Sequence, residues 1–183
     1  MPTESSNPFN TPGPSAIVVS RYNDSITSVM LQGAFDAYQA AGGRGESLAI
    51  LEAPGAYELV SIAGVAAESG MYDSVVCLGC VIKGETDHDV HISNAVANGL
   101  AEISIRTGVP VAFGVLTTNT IEQARARAGG IVGNKGAEAM DAVLGAAGAI
   151  QAIRDAKQSN TPGIRYAPGF EVPDKAAAAG EGL

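Results

Sequence analysis

The residues best equipped for chemistry in this chain form one short polar segment, KGETDH, from Lys83 to His88. The imidazole of a histidine can give or take a proton near neutral pH. A helical hydrophobic pattern begins at His88, directly after the turn at Gly84. Because the first N–H groups of a helix have no acceptor inside it, they attract anions. The segment therefore predicts a proton-transfer residue beside an anion site that can take a phosphate.

A continuous apolar run from Val75 to Ile82 leads into this segment. The run is too short for a membrane helix and rich in Val and Ile, which predicts a strand buried on both faces. It contains a CxxC pair, Cys77 and Cys80. Residues three apart in a strand point to opposite faces and lie ~10 Å apart, beyond the ~7 Å limit for a disulfide. We therefore predict two buried thiols rather than a redox or metal site.

Other motifs exclude further classes of site. The loop from Gly129 to Gly136 is not a Walker A loop, because Asn134 separates Gly133 from Lys135 and no Ser or Thr follows the lysine. No GxGxxG follows the first predicted strand, so a dinucleotide site is not expected. His88 and His91 lack further partners at ligand spacing. The sequence predicts no metal.

Strand and helix patterns alternate along the chain in the order βαβαβαβαα. Alternation of this kind predicts a parallel sheet with helices on both faces, here a flavodoxin-like three-layer α/β/α sandwich with four strands. We expect Asp24 or Ser25 to cap the first helix and Thr120 the fourth. The predicted strands are 16–19, 47–51, 75–82 and 109–116, and the predicted helices are 24–42, 56–69, 88 onward, 120–128 and 137–158.

The carboxyl ends of parallel strands lie at one edge of the sheet, where α/β proteins bind their ligands. Four chain segments follow strands here and are expected to converge: residues 21–23, 52–58, 83–88 and 117–119. They bring together an aromatic ring, a carboxylate, an anion-binding turn and a histidine. The sequence therefore predicts a small-molecule site at this edge.

Composition bounds the partners and the location. The formal net charge is −8 and the pI is near 4.6, which argues against nucleic acid. No secretory signal is recognisable and no stretch approaches the roughly 20 apolar residues of a membrane helix, so we expect a cytoplasmic protein. Residues 1–15 and 159–183 have the composition of a flexible arm and a loose tail, flanking a folded domain at 16–158.

Five motifs resemble the lumazine synthase family of riboflavin biosynthesis over about residues 16–155: SRYN at 20–23, APGAYEL at 53–59, LGCVIKGETDH at 78–88, GVLTTNTIEQARARAG at 114–129 and GNKG at 133–136. The resemblance implies condensation of 5-amino-6-(D-ribitylamino)uracil with 3,4-dihydroxy-2-butanone 4-phosphate. The products are 6,7-dimethyl-8-ribityllumazine, phosphate and water, and no cofactor is implied. Such a reaction depends mainly on proton transfer and on holding two substrates together.

The resemblance also assigns site residues. It implies that His88 transfers protons and that Tyr22, where Phe is expected, stacks on the pyrimidine ring. From the sequence alone, it is equally consistent that the Tyr22 ring packs over the end of a strand and has no role in binding. The remaining residues implied are Ala56, Tyr57 and Glu58 for the ribityl chain; Cys80, Val81 and Ile82 for the pyrimidine, through backbone groups; Glu85, Thr86 and Arg127 for the phosphate; Phe113, lent by a neighbouring subunit; and, more weakly, Lys135.

One segment departs from the family pattern. After the histidine an aromatic residue, an acid and a second aromatic residue are expected, but the chain reads Asp89-Val90-His91. The acid has moved by one position, about 100° around the helix. Whatever the acid supports beside His88 is therefore supplied differently or is missing.

The resemblance further implies a homopentamer with sites between subunits, and in many members a shell of twelve pentamers that can hold riboflavin synthase as cargo. The short GGIVGNKG loop resembles the shell-forming type, whereas the proline-rich arm is poorly suited to adding a strand to a neighbour. Two other functions stay open on the sequence: a flavin- or pterin-binding module without turnover, and a structural shell protein whose chemistry has decayed.

Overall fold

The computed structural model describes residues 11–163. Most of the predicted arm and tail, residues 1–10 and 164–183, lies outside the described residues. The chain divides into two compact units, 1–148 and 149–183. In the described part of the second unit, α-helix ends at Ser159, and Asn160 follows with φ of 52°. A left-handed residue at this position is a common helix terminator.

The elements follow the predicted order with one addition. The strands are β1 Ser15–Ser20, β2 Leu48–Ala53, β3 Ser74–Ile82, β4 Val111–Thr118, β5 Ala128–Gly130 and β6 Gly133–Asn134. The helices are α1 Asp24–Ala40, α2 Leu59–Glu68, α3 His88–Thr107, α4 Ile121–Arg127 and α5 Lys135–Ser159, with a 3-10 turn at Gly45–Ser47. The first four strands form one parallel sheet in the order β2-β1-β3-β4, and β5 and β6 form a small antiparallel hairpin.

Alternating residues of the strands face two separate hydrophobic clusters. In β1, Ala16 and Val18 join the cluster that includes α2 and α3. Ile17 and Val19 join the cluster that includes α1, α4 and the start of α5. All four side chains are less than 10% exposed. The predicted three-layer α/β/α sandwich with a four-stranded parallel sheet is therefore confirmed.

The two thiols of the CxxC pair are buried on opposite faces of β3. Cys77 belongs to the α2–α3 cluster and Cys80 to the other. Both are free cysteines. Period-two alternation in a continuous strand explains this placement, and the prediction of two core thiols is confirmed.

At the amino edge of the sheet, buried hydrogen bonds hold the chain where it enters β1. The Tyr38 hydroxyl, with its ring fully buried, donates to the carbonyl oxygens of Gly13 at 3.0 Å and Ser47 at 3.4 Å. The Ser15 and Ser74 hydroxyls hydrogen-bond at 2.8 Å. These contacts fix the segment before β1 at the edge opposite the strand ends.

Several boundaries differ from the sequence prediction. Neither Asp24 nor Ser25 caps α1: the helix begins at Asp24 after Asn23, which has φ of 61° and no side-chain cap bond. Helix α2 begins at Leu59 rather than at 56, because residues 54–58 form a turn. Thr120 does cap α4, its hydroxyl accepting from the Gln123 N–H at 3.3 Å. Among residues 11–163 no helix is long and apolar enough to cross a membrane.

Candidate active site

Hydrogen bonds join the carboxyl ends of all four sheet strands into one edge, which we call the strand-end rim (residues 20–23, 52–58, 80–88 and 117–119). The Arg21 N–H donates to the Ala53 carbonyl at 2.8 Å, joining β1 to β2. The Lys83 N–H donates to the Thr118 carbonyl at 2.8 Å, joining β3 to β4. The predicted convergence of the strand ends is therefore present in the fold.

Asn23 joins β1 to β3 across this rim. Its left-handed backbone reverses the chain between β1 and α1, and its carbonyl accepts the first N–H bonds of the helix, from Ile26 and Thr27. Its side-chain Nδ2 donates to the Cys80 carbonyl at 2.9 Å. Asparagine tolerates the left-handed region better than most residues. This turn leaves the neighbouring Tyr22 70% exposed on the rim, where a planar ligand can stack on its ring.

Strand β3 runs past the end of β1. The last register pair between them joins Val19 with Leu78, whereas β3 continues to Ile82. The Cys80 carbonyl faces the β1 side, and strand alternation turns the backbone groups of Ile82 to the same side. Backbone N–H and C=O groups beyond the end of a neighbouring strand can read the edge of a flat heterocycle. The side chains of Cys80 and Val81 are buried, so only their backbone can serve a ligand.

The turn after β2 presents polar and aromatic groups to the same rim. Ala56 is buried, whereas Tyr57 is 59% exposed and Glu58 is exposed. A Cβ on Gly55 would lie 2.9 Å from Glu58 Oε2, so the carboxylate folds back over the turn. Beside it, a shallow depression of about 300 Å³ is lined by Arg21, Glu52 and Pro54. The Glu58 carboxylate is placed to accept hydrogen bonds from sugar hydroxyls.

His88 is the first residue of α3 and follows the exposed turn that contains Glu85 and Thr86. The Asp87 carbonyl accepts from the N–H groups of Val90 and His91, and its side chain does not cap the helix. The first-turn N–H groups therefore face the turn without a side-chain acceptor. The structure places His88 at the helix start beside this exposed turn, and the anion site itself stays a prediction.

Asp89 does not support His88 in the chain as described. Its Oδ1 atom is buried and has no hydrogen-bond partner among residues 11–163. Its backbone carbonyl accepts from the Ser93 hydroxyl at 2.7 Å. One oxygen of the displaced acid is therefore buried without a partner among residues 11–163, no hydrogen bond there joins the acid to the imidazole, and the His88 side chain is exposed.

Arg127 lies away from the strand ends, at the far end of α4. The helix begins near the end of β4 and its seven residues extend about 10 Å. The Arg127 Nη1 donates to the carbonyl oxygen of Gln123 at 3.1 Å, within the same helix. The β5–β6 hairpin follows directly, and Lys135 comes next, with its Nζ 2.5 Å from Glu138 Oε2. Two cations therefore flank one hairpin.

Phe113 is not part of this chain's own rim. It lies inside edge strand β4, paired in register with Cys77, five residues before the strand ends. At about 3.3 Å per residue it is some 17 Å from the carboxyl end. Its ring is 44% exposed on an open sheet edge. Such a residue can serve only a surface that a second molecule brings to β4.

No group of three or more His, Cys, Asp and Glu side chains within residues 11–163 could hold a metal ion. Burial raises the pKa of the Cys80 thiol to about 11 and raises that of Cys77 further. Both thiols are therefore protonated at neutral pH, and neither is activated as a nucleophile.

Sequence reasoning missed two structurally central residues. Asn23 was placed on the rim but given no role, although an asparagine between a strand and a helix is a recognisable candidate for a left-handed turn. Asn134 enters the sequence interpretation only because it separates Gly133 from Lys135, which excludes a Walker A loop. Its position directly before α5 was a capping signal that could have been used.

The fold and this edge define a class: a three-layer parallel α/β protein with an open edge at the carboxyl ends of its strands. The sequence model of the 6,7-dimethyl-8-ribityllumazine synthase family matches residues 14–153. A protein of that name from Deinococcus deserti is 53% identical over 129 residues, 70% of this chain and 83% of its own length. Another from Deinococcus radiodurans is 48% identical over 138 residues, 75% of this chain and 89% of its own length. The chain belongs to the 6,7-dimethyl-8-ribityllumazine synthase family, transferases of riboflavin biosynthesis.

Proposed function

We propose that this protein condenses 5-amino-6-(D-ribitylamino)uracil with 3,4-dihydroxy-2-butanone 4-phosphate, giving 6,7-dimethyl-8-ribityllumazine, phosphate and water. An amine of the pyrimidine attacks a carbonyl of the butanone, phosphate leaves, and the second amine closes the ring. The observation that carries the proposal is the position of His88 at the start of α3, directly after the exposed turn of a family member's strand-end rim.

The pyrimidine half of the site lies between β1, β2 and β3. Tyr22 offers an exposed ring for stacking, and in the run Cys80 to Ile82 the Ile82 backbone groups face the β1 side beyond the end of that strand. The ribityl chain extends over the turn after β2, where Ala56 forms a buried floor. Tyr57 and Glu58 are exposed beside it and supply hydroxyl and carboxylate partners for the sugar.

The phosphate half uses the turn before α3 and the cations of the hairpin. Glu85 contributes mainly its backbone N–H, and Thr86 adds a hydroxyl. The planar guanidinium of Arg127 suits two-point contact with phosphate oxygens. His88 then stands between the two substrates and moves protons as each C–N bond forms and as phosphate departs.

A second copy of the chain completes the site in this proposal. Phe113 is exposed on edge strand β4 and remote from its own rim, which supports its contribution to a neighbour's rim. We propose a homopentamer and its assembly, twelve at a time, into a 60-subunit shell. Native mass spectrometry that finds only pentamers would overturn the shell. Riboflavin synthase as cargo and a cytoplasmic location stay predictions from the sequence.

The deciding experiment mixes purified protein with both substrates and follows lumazine absorbance above the uncatalysed background. We expect turnover that falls by about 10²- to 10⁴-fold in His88→Ala, the usual range for loss of a general acid–base. The matched control is His91→Ala, an exposed histidine three residues later on the same helix. Absence of turnover from a correctly assembled oligomer would instead favour the binding module or the shell protein. If His88→Ala still binds a flavin or pterin, the binding module is favoured over the shell protein.

A further inference from the structure

Asn134 connects two elements that are far apart in sequence. It is the last residue of β6 and directly precedes α5. Its Oδ1 accepts hydrogen bonds from the N–H groups of Gly136 at 2.9 Å and Ala137 at 3.3 Å. Its Nδ2 donates to the carbonyl oxygen of Val29, within α1, at 2.9 Å. One amide therefore caps α5 and ties the β5–β6 hairpin to α1.

Two glycines allow this contact. A Cβ on Gly33, one turn after Val29 in α1, would overlap the Asn134 side chain. A Cβ on Gly136 would overlap the backbone carbonyl of Met30. Because backbone atoms cannot move aside as a flexible side chain can, any larger residue at Gly136 pushes α1 and α5 apart. The close approach of hairpin and helix therefore depends on both glycines.

Arg127 and Lys135 flank the β5–β6 hairpin that ends at Asn134. Its antiparallel register pairs Ala128 with Asn134. Arg127, the last residue of α4, precedes Ala128, and Lys135, the first residue of α5, follows Asn134, so the two cations adjoin this pair in sequence. Each is held now by a surface contact: Arg127 by the Gln123 carbonyl and Lys135 by the Glu138 carboxylate. A doubly charged phosphate can compete with both contacts.

We propose that Asn134 is a positioning residue for the phosphate substrate: by tying the hairpin to α1, it holds Arg127 and Lys135 at the separation that binds the phosphate. The inference rests on the proposed function and adds to it the residue that sets the geometry of the cations.

The variant Asn134→Ser removes the hydrogen bond to the Val29 carbonyl while keeping a side-chain oxygen that can cap α5. Serine caps helices about as well as asparagine but is too short to reach the Val29 carbonyl. We expect the KM for the butanone phosphate to rise about tenfold, the equivalent of one weakened charge-assisted contact, with kcat and the KM for the pyrimidine changed less than about twofold. A role in folding alone would lower the yield or the melting temperature without this split. The matched control is Asn98→Ser, the same substitution at an exposed position of α3.

A second readout does not need turnover. Calorimetry with inorganic phosphate should give a Kd about tenfold weaker for Asn134→Ser than for the wild-type chain or Asn98→Ser. If the wild-type chain forms no lumazine, the proposed function fails, yet this comparison still decides the role of Asn134. Gly33→Ala displaces the amide without removing it and should weaken phosphate binding likewise. Should Asn134→Ser fail to fold, Gly33→Ala carries the test. Unchanged phosphate affinity in a folded variant would overturn the inference.

Discussion

Some side chains on the strand-end rim are fixed by hydrogen bonds within the fold, whereas others are exposed and available to a ligand. Asn23 is fixed by its turn and its bond to Cys80, whereas Tyr22 and His88 make their surfaces available to a ligand. Asp89 has one buried carboxylate oxygen without a hydrogen-bond partner among the described residues. In the proposed reaction we therefore expect the substrates, rather than the Asp89 carboxylate, to orient the His88 imidazole. If His88 transfers protons as proposed, its lack of a fixed partner predicts modest turnover.

The two arginines of α4 provide a residue-scale test of the phosphate site. Removing the Arg127 guanidinium should raise the KM for the butanone phosphate by about 10- to 100-fold, the worth of a charged hydrogen bond. Arg127→Lys should recover only part of this, because an ammonium cannot make the two-point contact. Steady-state kinetics with each substrate varied in turn measures the effect.

Arg125→Ala is the control, since Arg125 lies two residues earlier in α4 and is exposed on another side of the helix. An equal rise in KM for both arginine variants would show only a general effect of positive charge. That result would contradict the proposed contact between Arg127 and the phosphate.

The buried thiols predict how stability changes in alkali. Burial raises the pKa of Cys80 to about 11, from an ordinary 9.0, and raises that of Cys77 further. Above pH 9 the unfolded chain loses these protons while the folded chain keeps them. The thiols' contribution to stability is therefore complete below pH 9 and falls as the pH rises towards 11, by up to about 1.4 kcal/mol per pH unit for each thiol.

Urea unfolding at pH 8, 9 and 10 compares the wild-type chain with a Cys77→Ala, Cys80→Ala double variant. The double variant should start less stable at pH 8, because cavities replace the thiols, and should lose stability less steeply above pH 9. Parallel losses in the two proteins would contradict the raised thiol pKa values.

At the scale of elements, the close packing of α1 against α5 depends on the absence of a side chain at Gly136. Gly136→Ala brings a Cβ against the Met30 carbonyl, so we expect a loss of about 1–3 kcal/mol. Gly145 lies in the same helix, and a Cβ there meets nothing within 4 Å. Gly145→Ala should therefore gain up to about 1 kcal/mol from helix propensity.

Thermal unfolding at one fixed protein concentration measures both alanine variants. The melting temperature should fall in the first variant and rise in the second, by about 2–4 °C per kcal/mol for a chain of this size. A rise in both would show that α1 and α5 are free to separate.

The main elements were predictable from sequence because each carries a strong periodic signal. The run from Val75 to Ile82 reads directly as a buried strand, and alternation of strands with helices dictates the parallel sheet. The β5–β6 hairpin could not be predicted, since strands of three and two residues made largely of glycine carry no alternation. The cap of α1 was wrongly predicted because the turn depends on the backbone conformation of Asn23 rather than on a capping side chain.

The candidate site likewise has a part that the sequence predicts and a part that it does not. Residues that follow strands, from Tyr22 to Thr86, could be placed together because parallel strands end at one edge. The long-range bonds of Asn23 to Cys80 and of Asn134 to Val29 join residues 57 and 105 positions apart, and no local pattern encodes such pairs. In the proposed oligomer, the position of Phe113 relative to a complete site depends on a second copy of the chain, which the pattern of one chain does not encode.

At the scale of the whole molecule, a site shared between copies makes a specific prediction. His88→Ala and Phe113→Ala subunits should each be impaired alone, because each lacks one half of the shared site. Mixed oligomers should regain activity wherever an intact rim meets an intact β4 edge. With equal, random mixing that occurs at about a quarter of the sites in a cyclic assembly.

Co-expression of the two variants with separable affinity tags yields such mixed oligomers, and lumazine formation measures them. A mixture no more active than its better parent would place Phe113 outside the site. Wild-type chains carrying the same tags are the control for assembly.

The buried hydrogen bonds of Tyr38 and Ser15 also determine where additions to this protein can be made. Because they hold Gly13 at the amino edge, the chain enters its first strand about 20 Å from the rim, the length of six strand residues. A fluorescent protein or antigen joined directly before Gly13 is therefore attached at the edge opposite the strand-end rim. Such a display fusion should leave lumazine formation intact.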